Sequence, residues 1–270
     1  MLSIIFSAGP IVIYVFGFLM AVGIFLKSFI IWRRLRDLGI KEERVLDFII
    51  MAIIIGLIFA RLFFILTNFD KFGFIFTRWV FFLRYPGLSF WGWFLGALIS
   101  LKWFAKKEKW DFWQIADEVT FGFLPFLALM QLGSFLDGSG FGRSTYMPWG
   151  IYFPGTLLKR HPVSLFFAIG LFIIWFLLIK AERHWRTWHW YKSDKDGFIA
   201  LAGLSLTLLI YIPLAFIGDS SLYLYWLEVL LTTALFLMVS ISFYFRSGRT
   251  LRKRLIGLKA NNEKENNEKN

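Results

Sequence analysis

Charged side chains inside long apolar runs are the first places in this sequence where chemistry could occur. Arg61 follows a largely apolar stretch and is flanked by Ala60 and Leu62. A charge at that depth is expensive. It either snorkels to the nearby boundary or faces a bundle interior, where a guanidinium can hold a lipid phosphate bidentately. The residues alone leave these two readings equal. Lys27 lies near the end of another apolar run and is expected to snorkel. Residues 130–143 read M-Q-L-G-S-F-L-D-G-S-G-F-G-R. Their glycines and short polar side chains either end a helix or form irregular backbone lining a polar cavity, which a membrane tolerates only where it is shielded from lipid. In the second case Arg143 is a further phosphate-binding cation. Arg160-His161-Pro162 opens a later apolar run. Proline at a helix start is ordinary, and a histidine there is more often a cap than a base. His184 and His189 sit in a basic loop and are assigned no chemistry.

Other chemistries are excluded. The chain has no cysteine, hence no disulfide, thiolate metal site or cysteine nucleophile. No P-loop, G-x-S-x-G or H-E-x-x-H occurs. The residues call for no metal and no cofactor.

The elements that position these residues are long and apolar. Hydrophobic residues make up 58% of the 270, and the mean hydropathy is +0.62. A spanning helix needs roughly 20 mainly apolar residues, and the sequence offers seven candidates: 11–32, 46–67, 88–105, 117–137, 163–180, 197–217 and 222–245. The first run exceeds a signal peptide's apolar core of roughly 7–15 residues, so it reads as a span. Pro125 and Pro213 should bend the fourth and sixth spans. The expected fold is therefore all-α, a polytopic integral membrane bundle of about seven helices.

Loop charges set its orientation. Of the 30 Lys and Arg residues, 22 fall on the side of the first, third and fifth loops and the tail, and six on the other side. By the positive-inside rule the N-terminus is outside and the C-terminus cytoplasmic. The net charge of +12 then belongs to cytoplasmic loops, and no nucleic-acid partner is implied. Residues 1–250 read as one transmembrane domain, with a small outward cap at 138–162. Residues 68–87, rich in Phe, Trp and Arg, lie flat at the outer interface in this reading. Residues 251–270 are a basic and then disordered cytoplasmic tail.

Taken in order, the motifs resemble those of the prolipoprotein diacylglyceryl transferases, bacterial inner-membrane enzymes. Residues 5–10, I-F-S-A-G-P, are similar to that family's opening before its first span. Phe59-Ala60-Arg61-Leu62 resembles its G-A/G-R segment, and Gly87-Leu88-Ser89-Phe90-Trp91-Gly92 its G-M-S-F-H-G. Gln114-Ile115-Ala116-Asp117 resembles the polar start of its fourth span. Residues 131–143 are similar to its signature G-R-x-G-N-F-x-N-x-E-x-x-G-R, and Arg160-His161-Pro162 to its R-H-P-x-Q-L-Y-E.

The resemblance implies transfer of diacylglyceryl from phosphatidylglycerol to the lipobox cysteine thiol of lipoprotein precursors, with release of glycerol phosphate. It implies a plasma-membrane location, and as partners phosphatidylglycerol or another anionic phospholipid and precursor signal peptides. Arg61, Arg143 and Arg160 would bind lipid phosphate, and His161, if it reaches the cavity, would act on the thiol proton in place of the family histidine that Trp91 replaces. Ser89, Trp91, Gln131, Gly133, Ser134, Asp137 and Gly142 would line the cavity.

Several motif side chains differ. Trp91 replaces a histidine and Gln131 the signature arginine; Ser134 and Asp137 stand for asparagines and Ser139 for a glutamate. Phe16 replaces a tyrosine, and Ser164, Phe166 and Phe167 take the place of the Q-x-Y-E side chains. The family's arginine and glutamate in span six have no counterpart. The alternative reading is therefore a catalytically inactive lipid-binding or scaffold homologue on the same fold. A transporter or channel is a weaker third reading, since the spans offer few ionisable groups for an ion path.

Overall fold

The computed structural model describes residues 4–8, 11–81, 84–85, 87–185, 191, 193, 195–219 and 222–248. Strands β1 (Ile4–Ala8) and β2 (Ile11–Tyr14) precede helices α1 (Val15–Asp37), α2 (Glu42–Thr67), α3 (Phe69–Phe72), α4 (Phe76–Val80), α5 (Phe90–Glu108), α6 (Phe112–Asp137), α7 (Val163–Glu182), α8 (Phe198–Ile217) and α9 (Leu222–Arg246). The expectations for Gly9, Pro10, residues 186–190 with His189, Ser220, Ser221 and the tail at 251–270 lie outside the described residues.

Each of the seven apolar runs falls on one long helix. Helices α1, α2, α6, α7 and α8, and Val229–Arg246 of α9, are long and apolar enough to cross a membrane. The chain is a polytopic α-helical membrane protein. Helix α5, of 19 residues, falls outside that set, because Lys102, Lys106 and Lys107 interrupt its second half.

Among the boundaries that differ from expectation, two have local reasons. The first helix starts at Val15 because β2 takes Ile11–Tyr14 into an antiparallel pair with β1. Helix α6 starts at Phe112, earlier than expected, because the Asp111 carboxylate accepts from the backbone N–H of Trp113 at 2.8 Å and of Gln114 at 2.9 Å. That is an N-cap. Helix α6 continues through Pro125 and α8 through Pro213.

The chain divides into two compact units. In the unit of residues 25–122, α2 and α5 pack through small residues four apart, Gly56 and Ala60 against Gly92 and Gly96. A Cβ on Gly92 would lie 2.4 Å from the Phe59 carbonyl oxygen, and one on Gly96 would lie 2.9 Å from the Gly56 Cα. Close backbone approach of this kind is how helices associate where no hydrophobic drive separates protein from lipid. The Ser89 N–H donates to the Ala60 carbonyl at 3.0 Å, tying the start of α5 to α2. Lys27 does not snorkel as expected. It is 7% exposed, with its ammonium 4.9 Å from the centre of the Trp93 ring, where a cation–π contact offsets part of its burial.

The second unit joins residues 1–24 to 123–270. Here the start of α1 meets the end of α6, with Phe16 and Leu19 against Gly133. Helices α7, α8 and α9 pack in sequence order. Trp185, Tyr191, Phe198 and Phe243 form an aromatic cluster at the chain segment joining α7 to α8.

Candidate functional site

Most of the residues expected to act lie in the second unit, where the end of α6 runs into the segment before α7. Gln131, Ser134 and Asp137 are spaced three apart on the last turns of α6 and are half-buried. The Ser134 carbonyl accepts from the N–H groups of Ser139 and Gly140 at 3.0 and 3.2 Å, which closes the helix end. The chain then threads a narrow space. A Cβ on Gly140 would fall on Ser164, and one on Gly142 would lie 2.1 Å from the Ile217 carbonyl oxygen. The glycines are there because the Val163 and Ser164 side chains of α7 and the Ile217 carbonyl of α8 leave no room for a side chain.

Backbone bonds fix the cations. The Gly142 N–H donates to the His161 carbonyl at 2.8 Å, and the His161 N–H to the Arg143 carbonyl at 3.1 Å. The Arg143 N–H donates to the Ile217 carbonyl at 2.8 Å. Arg143 and Arg160 are thereby both brought to the turn after α8. The Arg143 Nε donates to the Gly218 carbonyl at 3.2 Å. Arg160 Nη1 donates to the Asp219 carboxylate at 2.5 Å and to the Gly142 carbonyl at 3.2 Å. The Arg160 and Asp219 side chains are 27% and 48% exposed, so a ligand can reach the pair.

His161 is half-buried, and its Nδ1 accepts from the Trp149 indole N–H at 3.1 Å. An indole nitrogen can only donate. The neutral imidazole therefore carries its proton on Nε2 and acts as a donor there. A base role for His161 requires Trp149 to withdraw first.

Arg61, Ser89 and Trp91 belong to the other unit. Arg61 donates four hydrogen bonds to backbone carbonyls: Nε to Trp79 at 3.0 Å, Nη2 to Arg78 at 2.9 Å, and Nη1 to Tyr85 at 2.7 Å and Gly87 at 3.0 Å. Its guanidinium also sits 5.1 Å from the centre of the Phe72 ring. Four of its five N–H groups thus hold the segment that carries α3 and α4. That segment presents Phe74, Ile75, Phe76, Val80 and Phe81 outward, Phe74 at 89% exposure, as an interfacial element would. Ser89 caps α5, its hydroxyl accepting from the Gly92 N–H at 3.4 Å. Trp91 is exposed, edge-on to Phe90.

Comparison with known proteins shows the family. The family model for prolipoprotein diacylglyceryl transferase matches residues 3–212. The chain belongs to the prolipoprotein diacylglyceryl transferase family. Among its relatives, the phosphatidylglycerol–prolipoprotein diacylglyceryl transferase of Clostridioides difficile strain 630 is 32% identical over 172 residues, 63% of this chain and 68% of the relative. The protein of that name from Oceanobacillus iheyensis is 27% identical over 188 residues, 65% of this chain and 66% of the relative. That from Vibrio cholerae O1 strain O395 is 31% identical over 185 residues, with the same two shares. The alignments thus span about two thirds of each relative.

As a member of the diacylglyceryl transferase family with six helices suited to crossing a bilayer, the chain is a multi-pass protein of the bacterial plasma membrane. Two residues of the site escaped sequence reasoning. Asp219 lies between the sixth and seventh apolar runs, and no spacing pairs it with Arg160, 59 positions earlier. Trp149 reads as one aromatic in a loop, and its pairing with His161 has no periodic signal. The small-residue spacings at 56/60 and 92/96 also went unread, although small residues four apart are a signal of close helix packing.

Proposed function

We propose that this chain moves the diacylglyceryl group of phosphatidylglycerol onto the lipobox cysteine thiol of lipoprotein precursors. The supporting observation is the convergence of Arg143 and Arg160 on the Gly218–Asp219 turn, with Arg160 held by a carboxylate that a phosphate can replace. The thiol sulfur forms a bond to the glyceryl carbon esterified to phosphate. That carbon–oxygen bond breaks, and glycerol phosphate leaves with the electron pair. Charge grows on the leaving phosphate, so cations placed beside it lower the barrier. His161, donating from Nε2, adds a neutral donor to the same task. The thiol proton must pass to a base in the same step.

The orientation is part of the proposal. Seven spans, N-terminus outside, carry residues 131–143 and 160–161 toward the outer leaflet, where secreted precursors emerge. Gln131, Gly133, Ser134, Asp137 and Gly142 then line the lipid cavity. Arg61 serves by holding the α3–α4 segment.

The test is transfer from phosphatidylglycerol to a lipobox peptide by the purified chain, together with lipoprotein modification in cells depleted of their own transferase. Modified peptide and restored growth are expected. Retention of phosphatidylglycerol without turnover would overturn the proposal and leave a lipid-binding homologue.

A further inference from the structure

A groove of about 380 Å³ opens where the C-terminal turns of α5 approach the start of α6. Lys102 and Lys106 border it with exposed side chains, and Ala105, Trp110 and Phe112 form its apolar wall. Trp110 is fixed there by Phe104 and Phe48, at ring-centre distances of 6.2 and 6.1 Å.

The two lysines are four residues apart, a spacing at which like charges on a helix repel. Neither has an ion-pair partner among the described residues. The neighbouring acids are engaged elsewhere: Glu108 faces Arg44 at 3.5 Å, and Asp111 caps α6. The next lysine, Lys107, lies 5.3 and 5.5 Å from the ring centres of Trp103 and Phe104. An anion between Lys102 and Lys106 would turn their repulsion into attraction.

Helix length identifies the anion. From Phe90 to Lys102, α5 rises only about 18 Å at 1.5 Å per residue, whereas a bilayer's hydrocarbon core is about 30 Å thick. The ammonium groups must reach outward, or headgroups must come down to meet them. A basic rim over an aromatic wall at that depth matches a phosphate with its glycerol and upper acyl chains beneath.

We propose that this groove binds one anionic phospholipid of the cytoplasmic leaflet, with its phosphate between Lys102 and Lys106 and its apolar part against Ala105, Trp110 and Phe112. The leaflet follows from the proposed orientation. The site itself does not depend on the transfer reaction.

The experiment places the full chain in nanodiscs of phosphatidylcholine, with or without phosphatidylserine. Native mass spectrometry then counts retained lipid, and thermal unfolding reports stabilisation. Phosphatidylserine is expected to stay with the wild type and raise its Tm. In the Lys102→Gln/Lys106→Gln double variant, retention should fall about tenfold or more, the scale of losing two basic groups beside an anionic surface. Transfer activity should be unchanged. The Lys102→Arg/Lys106→Arg variant keeps the charge and should retain the lipid, which preserves the test if the glutamine variant misfolds. Equal retention by the wild type and the glutamine variant would overturn the proposal. So would an equal Tm rise from inorganic phosphate, which would make this a free-anion site. Lysine-dependent retention by a chain with no transfer activity would refute the transfer reading and leave this one standing.

Discussion

Arg61 and Arg160 are the same residue type in the same protein, yet what holds each guanidinium is different in kind. Arg61 spends four N–H groups on carbonyls of its own neighbouring segment. Those acceptors are backbone, and a ligand cannot displace them without unfolding the segment. Arg160 spends its charge chiefly on Asp219, a carboxylate on a half-exposed side chain. That partner exchanges for phosphate at little cost, since an exposed ion pair is worth only about 0–1 kcal/mol. A buried-looking arginine in a membrane protein is thus not a ligand site by depth alone. What matters is whether its partner can leave.

The sharpest way to break this contrast is to remove Arg61. Arg61→Leu leaves four carbonyls to find new donors. With charged hydrogen bonds worth about 1.5–3 kcal/mol each, the variant should lose several kcal/mol, read as a large drop in Tm. Arg61→Lys should fall nearly as far, because an ammonium cannot reproduce the planar fork. A variant that unfolds at the wild-type temperature but no longer transfers lipid would make Arg61 a phosphate ligand after all.

The opposite pattern is expected for Arg143→Ala and Arg160→Ala. Transfer should fall about 10²–10³-fold, the scale for losing one charge-stabilising donor. Tm should change little, because both side chains are accessible. A matching fall in Tm would place both residues with Arg61 as structural pins.

A smaller effect separates two roles for Asp219. As a displaceable counter-ion it competes with lipid, so Asp219→Asn should lower KM for phosphatidylglycerol by up to about fivefold, equivalent to about 1 kcal/mol, and leave kcat alone. A fall in kcat of about 100-fold or more would instead make Asp219 the acceptor of the thiol proton.

The same contrast explains what was legible in the sequence. The long helices are written in composition, which each residue carries independently, so seven apolar runs fell on seven helices. The β1–β2 pair carried a signal that the membrane reading overrode: two short apolar runs rich in Ile and Val around Gly9-Pro10. The partners of Arg61 were illegible for a physical reason. They are carbonyls, which every residue has, so no residue type at positions 78, 79, 85 or 87 could announce them. Asp219 was illegible because the bridges that deliver it, Gly142 to Gly218 and Ser144 to Arg160, join segments far apart in the chain.

The finest distinction concerns His161, where two amides imitate the two ring nitrogens. Glutamine places its amide near Nε2, and asparagine places its polar atoms near Nδ1. If His161 works as an Nε2 donor oriented by Trp149, His161→Gln should keep transfer within about tenfold of wild type, since a neutral hydrogen bond is worth about 1 kcal/mol. His161→Asn, which keeps only the contact to Trp149, should then lose more. Trp149→Phe should cost a similar modest factor by freeing the ring to turn, and adding His161→Gln to it should cost nothing further, because the two residues act as one unit. If His161 is instead the base, neither amide can accept the thiol proton. Both should then lose about 10²–10⁴-fold, while Trp149→Phe, by releasing Nδ1, should raise the rate. The sign of the Trp149→Phe effect therefore decides whether this indole positions a donor or blocks a base.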